Sequence, residues 1–118
     1  MFAAAKKVDN LTVLVDYNKK QLDGYLTEIL DTGSFAQKFE AFGFDTQFIP
    51  GNDVEAVYTA LEKAKAVSGM PQAIVLDTVK GSGVKEVEET YSNHSITTST
   101  EVWARWQDEC VARLQAIR

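Results

Sequence analysis

The sequence contains few of the residues on which disulfide-rich, membrane-spanning or nucleic-acid-binding proteins depend. It has one cysteine, one histidine and two prolines in 118 residues. A single cysteine excludes an internal disulfide framework and fits a reducing, cytoplasmic compartment. No apolar run reaches the roughly 18 residues that a membrane-spanning helix needs, so no membrane partner is expected. The net charge of −5, without a basic stripe, argues against general binding to nucleic acid.

What is present fits one modest α/β domain over residues 1–118. Apolar residues make up 45% of the chain, an ordinary fraction for a globular protein. Short apolar runs with β-branched residues predict three strands, and the first, almost continuously apolar, is expected to be covered on both faces. The predicted strands are Leu11–Val15, Thr46–Ile49 and Ala73–Val79.

Helices are predicted before, between and after these strands. Residues 2–7 suit the end of a helix, since alanine favours helix and lysine complements the dipole at a C-terminus. Ser34, Asn52 and Thr98 each have Gln or Glu three residues later, the pattern of a capping box. The expected apolar stripes are Val54, Val57, Leu61 and Ala64 in the helix after Asn52, and Trp103, Trp106, Cys110, Leu114 and Ile117 in the last helix. Strands that alternate with helices predict a parallel sheet.

The two longest polar connections, residues 16–33 and 80–97, both follow strands. Ligands of open parallel sheets bind outside the carboxyl ends of the strands, so both connections are candidates for one ligand-binding end. The first connection opens with DYNKKQLDG, in which Asp16 and Asn18 offer hard oxygen ligands of the kind that Mg²⁺ takes. The alternative interpretation is an ordinary turn, in which these side chains bond only to the local backbone.

His94, the only histidine, lies in the second connection. Its imidazole can serve as an acid, a base or a hydrogen-bond donor near neutral pH, or it can be a surface histidine without a role. The segment KGSGV at residues 80–84 matches neither the dinucleotide fingerprint nor the P-loop, and indicates only a close approach of the backbone to something. Cys110 is expected to be a packed thiol. The glutamates expected to form a solvated face are Glu86, Glu88 and Glu89.

Several segments, taken in order, resemble one known family. They are VDNLTVLVDYNKKQLDG, FAQKFEAFGFDTQFIPGNDVEAVYTALEKAKA and PQAIVLDTVKGSGV, followed by His94 ten residues after Val84. Together they resemble the second half of the diphosphate-binding domain of transketolase, a thiamine-diphosphate enzyme, and especially the small N-terminal subunit of split bacterial transketolases. The resemblance implies a three-layer α/β sandwich with a mostly parallel sheet, the thiamine-diphosphate-binding fold, incomplete at its N-terminal side.

The resemblance also implies an activity and a set of site residues. A transketolase moves a two-carbon ketol unit from a ketose to an aldose through thiamine diphosphate and Mg²⁺, in carbohydrate metabolism such as the pentose phosphate pathway. By resemblance, Asn18 and the backbone carbonyl of Lys20 bind Mg²⁺, and Leu22 packs against the cofactor rings. His94 contacts the cofactor and acts in catalysis through hydrogen bonds to diphosphate or substrate oxygens. The implied partners are sugar-phosphate substrates and a pyrimidine-binding transketolase subunit or domain, in a dimer or heterotetramer.

The sequence departs from the family in its metal ligands. It has no Gly-Asp-Gly triplet, whose aspartate is the family's other protein ligand for the metal, and Ser95 stands where the family often has glycine. Without that carboxylate, Asn18 is expected to bind a divalent cation poorly. We therefore expect the chain to be a fragment of a transketolase subunit that is inactive alone. The missing first strand would leave an exposed sheet edge, a liability for aggregation.

Two other hypotheses stay open from the sequence. The chain could belong to a 2-oxo acid dehydrogenase or a deoxyxylulose phosphate synthase, which share the sheet and the metal-binding asparagine; the spacing from KGSGV to His94 favours transketolase. It could also be a noncatalytic α/β scaffold, for which the absent aspartate is the best support.

Overall fold

The computed structural model describes residues 1–22 and 24–116. Asp23 of the DYNKKQLDG segment and Ile117 of the expected helical stripe lie outside the described residues. The helices are α1 (Phe2–Ala5), α2 (Leu26–Ile29), α3 (Phe35–Ala41), α4 (Val54–Lys65), α5 (Lys85–Glu89) and α6 (Thr100–Ala116). The strands are β1 (Thr12–Tyr17), β2 (Lys20–Gln21), β3 (Gly24–Tyr25), β4 (Asp45–Pro50) and β5 (Gln72–Asp77).

The three longer strands form one parallel sheet in the order β1-β5-β4, which confirms the sheet type and all three predicted strands. β5 lies in the middle, and its residues 72–75 are buried. That burial explains why β5 is a continuous run of mostly apolar residues, as strands covered on both faces are. The short strands β2 and β3 pair antiparallel as a hairpin after β1.

Helices cover opposite faces of this sheet. On one face, Ala60 and Ala64 of α4 pack against Ile74 of β5 to form the buried core. On the other face, Phe35 of α3 meets Tyr17 of β1 edge to face, with ring centroids 5.6 Å apart. The arrangement is a three-layer α/β sandwich, as expected.

β1 is not covered on both faces, so that expectation was wrong. Its exposure alternates along the strand, and the Leu14 side chain is 51% exposed. Leu14 pairs with Ile74 and so lies on the face that α4 covers, but α4 packs over β4 and β5 and leaves β1 open. Val54, placed in the α4 stripe by its spacing, is 82% exposed because it occupies the first turn, at the rim of the contact.

The helix starts are predicted to within two residues. Ser34 caps α3 as expected, with its hydroxyl accepting from the Gln37 N–H at 3.2 Å. Asp53, not Asn52, caps α4, since its carboxylate accepts from two N–H groups of the first turn. At α6 the hydroxyl of Ser99, not Thr98, accepts from the Val102 N–H at 3.4 Å.

The expectation for the apolar stripe of α6 was largely wrong, whereas two of the three glutamates before it, Glu86 and Glu89, are exposed as expected. Of the described stripe residues only Trp106 is buried, whereas Trp103, Cys110 and Leu114 are exposed. α6 packs on the loop that follows β5 rather than on the sheet, so its stripe meets a smaller surface. The glutamates supply part of that contact: Glu86 accepts from the Trp106 indole N–H at 3.0 Å, and the Arg105 guanidinium also donates to it. No helix within the described residues is both long and apolar enough to span a membrane.

Candidate functional site

The connections after β1, β4 and β5 meet at the carboxyl ends of the strands. The Thr78 N–H donates to the Tyr17 carbonyl at 3.2 Å, and the Gly51 N–H donates to the Asp77 carbonyl at 2.8 Å. Asn52, free of the capping role expected for it, accepts from the Val79 N–H at 2.8 Å through Oδ1. The two polar connections therefore begin at one end of the sheet, as the parallel topology predicted.

Asn18 lies directly after β1 with its amide orientation fixed on both sides. Its Nδ2 donates to Asp16 Oδ2 at 3.0 Å, and its Oδ1 accepts from the Lys20 N–H at 3.0 Å. The other oxygen of Asp16 accepts from the Thr78 hydroxyl, so the carboxylate is itself held in place. An amide oxygen has two lone pairs, and only one of them is used within the turn.

The backbone of Lys20 faces the same side of the hairpin as the Asn18 amide. Lys20 pairs with Tyr25, and the Leu26 N–H donates to the Lys19 carbonyl at 2.9 Å. This bond pattern makes Lys20 and Tyr25 a non-hydrogen-bonded pair, in which the Lys20 N–H and carbonyl both point away from β3. The Lys20 carbonyl is thus directed toward the side on which Asn18 Oδ1 accepts the Lys20 N–H.

His94 is linked to this end of the sheet through Lys80. The Lys80 Nζ lies 3.2 Å from His94 Nδ1, and Lys80 shares two cavities with Asn18. Asn93, 9% exposed, anchors the segment, since its Nδ2 donates to the carbonyls of Lys80 at 3.0 Å and Val87 at 2.8 Å. His94 does not itself line either cavity, so its link to Asn18 runs through Lys80.

Leu22 lies at the tip of the same hairpin as Asn18 and Lys20. Its side chain is 53% exposed and its backbone has φ +33°, unusual for a residue other than glycine. Its carbonyl accepts from the Ser92 hydroxyl at 3.4 Å, so the tip touches the connection that carries His94. An exposed leucine in this position is available to pack against a ring.

Two cavities open around Asn18, and we call them the polar cavities because most residues in their walls are polar or charged. The larger, about 440 Å³, is lined by Asp16, Asn18, Asn52, Thr78, Val79, Lys80, Gly81 and Ser82. The smaller, about 150 Å³, adds Lys19, Lys20, Tyr25 and Glu88 to Asn18 and residues 78–80. A third cavity of about 470 Å³ lies between α6 and the loop after β5 and is mainly apolar, with Trp103, Trp106 and Cys110 in its wall. We place the candidate site at the polar cavities, because a diphosphate and a hard cation need oxygen ligands and positive charge.

The sequence profile of the thiamine diphosphate-binding domain of transketolase matches residues 1–107. The chain belongs to the transketolase family. It is 37% identical over 103 residues to the 6-deoxy-6-sulfo-D-fructose transketolase subunit of Clostridium sp. strain MSTE9. It is 38% identical over 86 residues to one of the subunits of the apulose-4-phosphate transketolase of Actinobacillus succinogenes.

These matches span a minor part of each relative. The chain covers 38% of the Clostridium protein and 31% of the Actinobacillus protein, while 87% and 73% of its own residues are matched. Its fold agrees with that of the transketolase from Campylobacter jejuni, with a TM-score of 0.80 and 28% identity over 92% of this chain and 17% of that one. The family and the incomplete thiamine-diphosphate-binding fold expected from the sequence are thereby confirmed.

The donor set beside Asn18 fits part of a magnesium site of the transketolase type. Within residues 1–22 and 24–116, no three His, Cys, Asp or Glu side chains converge to hold a metal ion. Asn18 Oδ1 and the Lys20 carbonyl are hard oxygens of the type that Mg²⁺ prefers, but they supply only two of about six ligands. The assignments of Asn18, Lys20, Leu22 and His94 to cofactor and metal stay predictions.

Sequence reasoning missed Lys80, Asn52 and Asn93 as parts of this site. Lys80 could have been found, because it follows the end of a strand within a glycine-containing turn. Gly81 has φ +83°, and the close approach expected of this segment is to Val87, whose Cγ1 would lie 2.5 Å from a Cβ at Gly81. The role of Asn52 had no local signal, since it bonds to Val79, 27 positions away. Asn93 bonds to Val87 and Lys80, 6 and 13 positions before it, but no sequence pattern marked these bonds.

Proposed function

We propose that this chain is part of a transketolase that moves a two-carbon ketol unit from a ketose to an aldose through thiamine diphosphate. The observation that carries the proposal is the meeting of Asn18, the Lys20 backbone and Lys80 at one end of a sheet whose family binds this cofactor. The noncatalytic-scaffold hypothesis and the other thiamine-diphosphate classes receive no comparable support, since the matching profile is that of transketolase.

The residues of this chain would hold and orient the cofactor. Asn18 Oδ1 and the Lys20 carbonyl would bind Mg²⁺ on the diphosphate, and the Lys80 ammonium would complement its negative charge. Leu22 would pack against a cofactor ring. His94 would donate a hydrogen bond to a diphosphate or substrate oxygen, with Lys80 beside its Nδ1. The cofactor supplies the electron sink for the reaction when bound.

The sugar substrates can be proposed as a chemical class. The two transketolase relatives are named for a sulfonated fructose and for apulose 4-phosphate, which differ in the anionic group of the sugar. We propose a ketose donor with an anionic group, of which sugar phosphates are the first to test.

The chain is proposed to act only as part of a larger assembly. Two relatives are named as subunits, which supports a partner subunit or domain. We propose that this partner is the pyrimidine-binding subunit or domain, in a dimer or heterotetramer located in the cytoplasm. We propose no turnover and little affinity for cofactor by this chain alone, because two oxygens are too few to hold Mg²⁺ firmly.

The deciding experiment measures cofactor affinity and ketol transfer in the complete enzyme that contains this chain. Asn18→Ala removes a metal ligand and is expected to weaken Mg²⁺-dependent binding of thiamine diphosphate by roughly 10- to 100-fold. Asn18→Asp keeps an oxygen in that position and should retain most of the affinity. Equal affinities for wild type and Asn18→Ala would reject the metal assignment.

A substrate screen separates the enzyme classes. Wild-type complete enzyme is tested with ketose–aldose pairs and, in parallel, with 2-oxo acids. Ketol transfer with any pair supports the proposal. Turnover of 2-oxo acids alone, or full function in cells of the Asn18→Ala, His94→Ala double variant, would contradict it.

A further inference from the structure

The Lys20 side chain leaves the hairpin and reaches the loop that carries His94. Its Nζ donates to the carbonyl of Thr90 at 2.7 Å and to that of Glu88 at 3.3 Å. The same ammonium lies 5.3 Å from the centroid of the Tyr25 ring, within range of a cation–π contact. One side chain thus joins β2, β3 and the end of α5.

The ammonium of Lys20 donates to carbonyls at the C-terminal end of α5, where a positive charge is favourable. α5 has five residues and ends at Glu89, so its last carbonyls have no partners within the helix. Lys20 provides donors for two carbonyls at this end, and bonds from a charged donor are stronger than neutral ones. A lysine near a helix C-terminus also complements the negative end of the dipole.

The loop makes further contacts with the hairpin beyond Lys20. Tyr91 meets Tyr25 edge to face with centroids 5.4 Å apart, and its hydroxyl donates to the Glu28 carboxylate, which raises the pKa of Tyr91. Gly24 leaves room for this ring, since a Cβ there would lie 2.6 Å from the Tyr91 hydroxyl oxygen. The hairpin therefore packs closely against residues 88–92, which lie shortly before His94.

We propose that the side chain of Lys20 is a positioning residue that fixes the His94 loop on the hairpin carrying Asn18. Its backbone carbonyl faces the candidate metal site while its ammonium holds the loop. Binding at that carbonyl and ordering of residues 84–95 are consequently coupled, and by linkage each strengthens the other. The coupling to a ligand rests on the proposed function, whereas the tether itself does not.

The first experiment tests the tether in the 118-residue chain without cofactor, by hydrogen–deuterium exchange. Lys20→Met keeps the apolar stem but removes the donors, and exchange over residues 84–95 should speed up on the order of tenfold while β5 stays unchanged. Lys20→Arg should restore protection, because its guanidinium can donate to both carbonyls. Lys65→Met is the matched control, since among the described residues the Lys65 ammonium pairs only with Glu62 on its own helix.

A spectroscopic readout reports on His94 directly. Because His94 is the only histidine, its imidazole Hε1 gives a single NMR signal in the chain. Lys20→Met should shift or broaden this signal, and Lys20→Arg should return it toward the wild-type position. Unchanged loop exchange and an unchanged signal, or equal loss of protection in β5, would overturn the proposal. If Lys20→Met does not fold, Lys20→Gln, a shorter and neutral donor, is judged by the same criteria.

The second experiment adds Mg²⁺ and thiamine diphosphate to the complete enzyme. The cofactor should protect residues 84–95 in the wild type and protect them less in Lys20→Met. Equal protection in both would overturn the coupling. Absence of any cofactor binding would reject the proposed function and leave the result of the first experiment on the tether standing.

Discussion

Gly81, in the loop after β5, lies close to the Val87 side chain of α5. Its φ of +83° disfavours any side chain, and a Cβ would lie 2.5 Å from Val87 Cγ1. Gly81→Ala should therefore lower the free energy of unfolding by about 2–4 kcal/mol, the sum of the left-handed backbone and overpacking costs. Urea unfolding, monitored by tryptophan fluorescence, measures this loss of stability.

Gly69 is the matched control for Gly81. It has φ +77° but no heavy atom within 4 Å of a built Cβ. Gly69→Ala should cost only about 1–2 kcal/mol, the backbone contribution alone. Losses of equal size in the two variants would show that the contact with Val87 is not tight in solution.

Single residues also mark the limit of prediction at this scale. The Asn-x-x-Glu pattern located the start of α4, but Asp53 follows Asn52 at once and both side chains suit a cap. Asp53 caps the helix, and Asn52 instead accepts from the Val79 N–H, which is 27 positions away in sequence. Local patterns identify which side chains can bond, whereas the tertiary fold decides what they bond to.

At the scale of elements, we expect the start of α6 to respond to pH. The Ser99 hydroxyl donates to the Glu101 carboxylate and lowers the pKa of Glu101 below its ordinary value of 4.5. Since the unfolded chain then binds the proton more readily, this contribution to stability is present above pH 4.5 and is lost as the pH falls through the lowered pKa. Protection of the first turn of α6 against amide exchange should decrease accordingly between pH 6 and pH 3.

Two variants isolate this pH effect from the titration of other carboxylates. Glu101→Gln keeps the cap and should remove this part of the pH dependence. Ser99→Ala should also remove it and in addition cost about 0.5–2 kcal/mol through loss of the cap. If both variants lose protection with pH as steeply as the wild type, the Ser99–Glu101 bond does not control this end of the helix.

The elements of the sheet were more predictable than α6. Apolar β-branched runs located β1, β4 and β5, although only β5 is buried along most of its length. The stripe of α6 has the right period, yet Trp106 is its only buried described member. The residues around Trp106, which include Glu86, belong to the connection after β5, and no local sequence pattern predicts the path of that connection. The hairpin of β2 and β3 was likewise hidden within a polar connection.

At the scale of the whole molecule, the described chain is a flat slab. Its radius of gyration is 17.6 Å and its extents are 53 × 38 × 16 Å. A compact domain of this length would have a radius of gyration of roughly 13–14 Å. The slab shape leaves large apolar side chains on its surface, including Phe48, which is 55% exposed. A layer of further protein over these faces is consistent with the proposed place of the chain in a larger enzyme.

This shape leads to a prediction about the chain by itself. Among the described residues β1 pairs only with β5, so one row of its N–H and carbonyl groups is open, and the Leu14 side chain stands 51% exposed above it. An open, apolar edge strand is a template for pairing with another chain. We expect the chain to self-associate as its concentration rises through the micromolar range, observed by sedimentation velocity.

Leu14→Lys should reduce the association because a charge on an edge strand opposes pairing. Tyr58→Lys, an equivalent change on the exposed surface of α4, should leave the association unchanged. If the wild-type chain stays monomeric, or if the two variants have equal effects, β1 is not the associating surface.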